Sequence, residues 1–140
     1  MKVVLQDGRR CILRFDRDEE VIGGLAEFAQ INKINAAVFF GIGACSKVEL
    51  GFYNDYLKDY RHKPFVDNRE ILSLNGNISQ DDGKPVVHAH GVFSNSDFET
   101  IGGHVFKIVV SVTCEIFFIK LEGRLQRRHD EKLNLNLLYD

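Results

Sequence analysis

The sequence predicts an α+β fold, a mixed or antiparallel twisted sheet with one or two helices packed on it. Three observations lead there. Segments that alternate in polarity or run continuously apolar outnumber those with helical spacing, the connections between them are short, and turn signals such as Asp7-Gly8 and Asp81-Asp82-Gly83 stand where hairpins would reverse. With 140 residues, 44% hydrophobic and 27% charged, the chain suits a single domain, 1–140, able to bury a core of its own.

Taken in order, Lys2 to Leu5 and Cys11 to Phe15 flank Asp7-Gly8 and read as a hairpin, because glycine accepts the positive φ of a tight turn. A helix is expected next, capped by Asp16 with Glu19 three residues on in a capping-box-like pair. Val21, Ile22, Leu25, Phe28 and Ala29 then recur at helical spacing and give one apolar face. Gly23-Gly24 in mid-helix costs roughly 1 kcal/mol per residue relative to alanine, which close packing against a sheet would rationalise. Asn32 to Asn35 should end the helix.

From Ala36 the pattern is β. Ala37-Val38-Phe39-Phe40 is continuously apolar, as in a strand covered on both faces, and Gly41-Ile42-Gly43-Ala44 should end it. The G-x-G found there has neither the third glycine nor the lysine of a phosphate-cradling loop. Lys47 to Asn54 alternates, Tyr56 to Pro64 carries a more polar strand or hairpin, Glu70 to Ile78 alternates again, and Pro85 to Phe93 follows the Asp81-Asp82-Gly83 turn. Val105 to Leu121, the most apolar stretch, has seventeen residues, so two strands joined by a bend or bulge near Thr113-Cys114 are expected. The alternating Leu133-Asn134-Leu135-Asn136-Leu137 can add an edge strand, within the subunit or to a neighbour.

The chemistry concentrates in VVHAHGVFSNSDFETIGGHVF. His88 and His90 are i and i+2 on a strand, so their imidazoles share a face about 7 Å apart. His104 follows fourteen residues after His90, far enough for the chain to turn and come alongside. It also follows Gly102-Gly103, whose missing side chains allow close backbone approach. An H-x-H alone is a weak signal, since a strand histidine is more often a hydrogen-bonded surface or core residue. Three neutral imidazoles with an open fourth position nevertheless suit a metal, zinc above all. Asp97 and Glu99 are the nearby carboxylates in sequence for a fourth ligand or a supporting partner. His62 beside Lys63 and His129 beside Arg128 lie among basic residues and are expected to be solvated.

GIGACSKVELGFY at Gly41 to Tyr53, NREILSLNGNIS at Asn68 to Ser79, the H-x-H, and G-G-H followed by an apolar run to T-C-E-I occur in an order that resembles the PPC domain. That module stands alone in prokaryotes and is fused to AT-hook DNA-binding motifs in plants. The likeness runs from about Val21 to Glu122. It implies a homotrimer, an expectation that a leucine-rich tail and an apolar strand face make physically reasonable. It also implies an assembly module for a protein partner or small ligand, with metal at His88, His90 and His104.

Two other function classes remain open. A zinc-dependent hydrolase or lyase would need a general base, for which Glu70, Glu99 and Glu115 are the candidates. A DNA-associated regulator, as among the plant relatives, is disfavoured by a net charge of −2 and a pI near 6.2. The AT-hook core is missing too, and the basic cluster Arg124, Arg127 and Arg128 sits beside Asp130 and Glu131, as a solvated face would. Cys11, Cys45 and Cys114 lack metal-site spacing and read as buried, reduced thiols. No apolar run reaches the roughly eighteen residues of a membrane span. MKVVLQDGRRC turns polar too soon for a signal peptide, so a cytoplasmic protein with no membrane contact is expected.

Overall fold

A computed structural model describes residues 1–139. The chain runs β1 (Lys2–Asp7), β2 (Arg10–Asp16), α1 (Val21–Ile31), β3 (Ala37–Asn54), β4 (Asp59–Phe65), β5 (Arg69–Asp81), β6 (Lys84–Ser94), β7 (Thr100–Lys120), β8 (Gln126–Asp130) and β9 (Leu135–Tyr139). The strands form one sheet in the order β1-β2-β7-β3-β5-β8-β9, with β4 on β3 and β6 joining β5 to β7. The path β7-β3-β5-β6-β7 therefore closes on itself. Neighbours pair antiparallel except β5 and β8, which meet in parallel at Gln80 and Gln126, so the sheet is mixed.

Closure divides the side chains into inner and outer sets. Phe39, Leu74, Ile78, Ala89, Phe93, Val105, Ile116 and Phe118 face the core. One helix covers it, set edge-on by Phe28 against Phe118 at 5.5 Å between ring centroids. Of the α1 glycines, Gly24 has the packing role against the sheet anticipated for it, whereas Gly23 makes room for the helix's own capping carboxylate. A Cβ on Gly24 would meet a ring carbon of Phe15 at 2.6 Å, and one on Gly23 would meet the Glu20 carboxylate at 2.7 Å.

Several elements differ from the sequence reading for identifiable reasons. The helix is capped by Glu20, whose carboxylate accepts from the backbone N–H of Ile22 at 2.9 Å and of Gly23 at 2.6 Å. Asp18, with a φ of 68°, breaks the turn after Asp16, so Asp16 pairs with Lys2 and Arg14 instead of capping. The strand from Ala37 does not end at Gly41–Ala44 but bulges through it and continues to Asn54. It is not covered on both faces in the single chain, because Val38, Phe40 and Ile42 are 38%, 48% and 54% exposed. Val105–Lys120 belongs to one long strand, not two, and the irregularity expected near Thr113-Cys114 is a register shift within it, opposite Gly43–Cys45. The C-terminal alternation does become an edge strand, β9 on β8. Among the described residues no helix is long and apolar enough to cross a membrane. The three cysteines are buried, and burial pushes the Cys45 thiol up to about 11 and that of Cys114 up to about 12.

Candidate metal centre

His88 and His90 stand on β6, and the antiparallel register places His104 of β7 directly opposite His90. Glycine permits that register: a Cβ on Gly102 would meet the carbonyl oxygen of Gly91 at 2.9 Å, and one on Gly103 that of Gly51 at 2.9 Å. Only a bare backbone lets β7 nest between β6 and β3 at this point. The three imidazoles converge as a result. Ring centroids are 5.3 Å apart for His88–His90, 5.1 Å for His88–His104 and 5.3 Å for His90–His104. One nitrogen of each ring lies within 4.8 Å of those of the other two, and this is the one such group among the described residues.

The walls are aromatic on one side and polar on the other. The His104 ring packs on Tyr60 at 4.9 Å and on Phe106 at 4.6 Å, and His62 stacks on the far side of that cluster, on Phe106 at 4.1 Å. Opposite, the β5–β6 register pairs Asn75 with His90 and Asn77 with His88, which puts both amides on the histidine face. Above them lies Arg127 of β8, whose guanidinium donates to Ser79 Oγ at 2.7 Å, Asn136 O at 2.7 Å and Asn77 Oδ1 at 3.3 Å.

Electrostatics favour the neutral form of His88 and His104. Burial, helped by the neighbouring imidazoles and Arg127, pushes His104 down to about 4, and burial followed by Arg127 and His90 lowers His88. A neutral imidazole offers a lone pair to a metal at pH 7. Nδ1 of His104 is buried and has no hydrogen-bond partner in the protein. Leaving such an atom unpaired costs about 1–3 kcal/mol, so a group from outside the chain is called for. Three convergent nitrogen donors, without thiolate or carboxylate, fit a borderline transition metal ion.

The candidate bases lie elsewhere. Glu70, Glu99 and Glu115 are all exposed. Glu70 is five residues along β5 from the partner of His90, roughly 17 Å at strand spacing. Glu99 precedes His104 by a similar distance, and Glu115 is about twice as far along β7. Glu99 and Asp97 serve a plainer purpose, because their backbone N–H groups donate to Asn95 Oδ1 at 2.9 and 3.0 Å and so close the turn before β7. His62 and His129 are exposed and bond to Glu49 and Asn136.

Sequence reasoning did not find Asn75, Asn77, Tyr60, Phe106 or Arg127. The two asparagines left a signal, since Asn75-x-Asn77 and His88-x-His90 are spaced symmetrically about the Asp82-Gly83 turn. Arg127 left none. Its partners Ser79 and Asn77 are 48 and 50 residues away, and the cluster that contains it looks like any charged surface run.

Comparison with known proteins agrees with this construction. A metal-containing protein from Archaeoglobus fulgidus has 34% sequence identity, with 100% of both chains covered and a TM-score of 0.89. A plant- and prokaryote-conserved protein from Pyrococcus horikoshii is 30% identical, covering 100% of this chain and 98% of that one, also with a TM-score of 0.89. A Bacteroides thetaiotaomicron protein described as a candidate DNA-binding protein is 27% identical, covering 96% and 94%, with a TM-score of 0.93. No curated protein matches the chain. The Plants and Prokaryotes Conserved (PCC) domain model matches residues 3–122, a span that takes in the closed sheet and all three histidines, and the chain belongs to that family.

Proposed function

We propose that this is a homotrimeric metal-binding module in which His88, His90 and His104 hold a zinc ion and the assembly recognises a small ligand or protein partner. The observation that carries the reading is the convergence of three imidazoles, one of which, His104, has a buried and unpartnered Nδ1. Zinc suits an all-imidazole donor set, and such an ion keeps an open position at which it acts as a Lewis acid toward a bound group. Metal content in the Archaeoglobus relative supports the same reading.

Assembly is supported by the outer face of the sheet. Leu5, Ile12, Phe117 and Phe40 follow one another across β1, β2, β7 and β3, and Phe40 stacks on Phe117 at 5.0 Å. The same row continues through Asn75 to His90. Phe40 is thus two strand spacings, roughly 10 Å, from the histidine site. A second copy seated on the apolar stripe would also wall the metal site. An exposed stripe of this kind marks an interaction surface. Hydrolytic chemistry finds less support, because no candidate carboxylate base stands beside the rings. Autonomous DNA binding is opposed by the net charge of −2.

Elemental analysis of the purified protein beside a His88→Ala/His104→Ala variant, each sized by light scattering, tests this. The expected result is about one zinc per chain in the native trimer and nearly none in the variant. Equal metal in both proteins would remove the histidines from the site.

A further inference from the structure

The charge balance around the histidines is unusual for a metal site. A divalent ion held by three neutral imidazoles keeps its full charge, and no carboxylate belongs to the cluster among the described residues. The fixed charge beside it is a second cation, since Arg127 is among the causes that depress both His88 and His104. Asp81, the acid nearest in effect to Arg127, is engaged by the Asn136 amide at 2.5 Å and makes no ion pair with the guanidinium.

Arg127 is half-buried and rigidly held, yet all three of its partners are neutral: a serine hydroxyl, a backbone carbonyl and an asparagine amide oxygen. A guanidinium carries five N–H donors, so two remain unspent. Holding a guanidinium in a half-buried place with no carboxylate paired to it directly is costly, and Asp81 acts on it only without contact. The placement becomes favourable once an anion arrives. The surrounding amides of Asn75 and Asn77 and the Tyr60 ring are uncharged, so nothing on those walls repels one.

Resting on the zinc reading above, we infer that the site takes a small carboxylate, one oxygen toward the metal's open position and the other accepting from Arg127. A fork beside a single metal face matches the two oxygens of a planar carboxylate. A phosphate group is usually met by several cations, and Arg127 is the one that the β8–β9 hairpin brings to the asparagine wall beside these rings. Arg127 also lies beyond residues 3–122, the span of the family match.

Cobalt(II)-loaded protein gives a readout free of any assumed reaction, because the visible spectrum reports the metal's ligands. Native protein, Arg127→Gln and Arg127→Lys would be loaded, their cobalt content measured, and each titrated with acetate or inorganic phosphate at constant ionic strength. The expected result is equal cobalt in all three and a spectral response to acetate that is roughly tenfold to a hundredfold weaker in Arg127→Gln, the range for a lost charge-assisted hydrogen bond. Arg127→Lys keeps the charge without the fork and should lose a smaller part; it carries the test if the glutamine variant does not fold. Equal acetate affinity in native and variant proteins, with cobalt bound in each, would overturn the role of Arg127 while leaving the metal site standing. A native response to phosphate stronger than to acetate would overturn the carboxylate assignment. Failure of the native protein to bind cobalt would sink the metal reading, and this inference with it.

Discussion

Two patches on the outer face of the same closed sheet differ in chemistry. Around Phe40 and Phe117 the exposed side chains are apolar, and what they lack is a surface to exclude water. Around His88, His90 and His104 the side chains are polar and convergent, and their nitrogens are placed as a metal ion would need them. Asn75 and Asn77 stand between the patches, in register with Phe40 and Val38 on one side and with His90 and His88 on the other. Strand alternation decides only which residues face outward. Residue chemistry then decides whether the surface suits another protein or a metal.

If the apolar patch holds copies together, a charge in its centre should break the assembly. Phe40→Glu would set a carboxylate in the stacked ring pair, and the expected outcome is a folded monomer on a sizing column with light scattering. Zinc content measured on the same sample sharpens the contrast. With all three ligands in one chain, the metal should stay at about one per chain. Loss of metal along with the trimer would mean that the two patches form a single site completed across subunits.

A smaller effect separates the patches by pH. His104 has a folded value near 4 against an ordinary 6.5, and His88 is lowered as well. Between those values the unfolded chain binds more protons than the folded one, so stability rises with pH across the window. In chelator-treated protein, stability should therefore be complete above about 6.5 and fall as pH drops toward 4, levelling below it. His88→Gln/His104→Gln should flatten that dependence in urea melts at several pH values, whereas Phe40→Glu should leave it intact. An unchanged slope in the histidine variant would assign the pH response to other groups.

How much of the molecule was legible depended on the range of the signals. Hairpins announced themselves locally through Asp7-Gly8 and Asp81-Asp82-Gly83, and the H-x-H spacing with Gly102-Gly103 gave all three rings of the cluster. The helix start was misread because Asp16 and Glu19 do interact, Glu19 accepting from the Asp16 N–H at 2.8 Å, while the left-handed Asp18 between them prevents helix. Val38 and Phe40 read as core because hydrophobicity marks burial without saying against what; in the single chain they lie outside. Arg127 was beyond reach, since its meaning comes only from contacts across the sheet.

The smallest expected effect concerns the carboxylates, and it tests how far the histidine patch extends. Glu70, Glu99 and Glu115 are exposed and lie well away along the strands, with none in the ligand cluster. Charges in water separated by more than about 10 Å are largely screened at ordinary salt. Replacing each with glutamine should leave zinc content and the cobalt spectrum within error of the native protein. Glu115 has a further reason to be silent at the metal: it sits opposite Arg14 on one neighbour and Ile42 on the other, at the apolar patch's end of β7. Glu115→Gln should alter the light-scattering mass before it alters metal content. A change in the cobalt spectrum in any of the three would place that carboxylate at the metal in the assembled protein and revive the case for a general base.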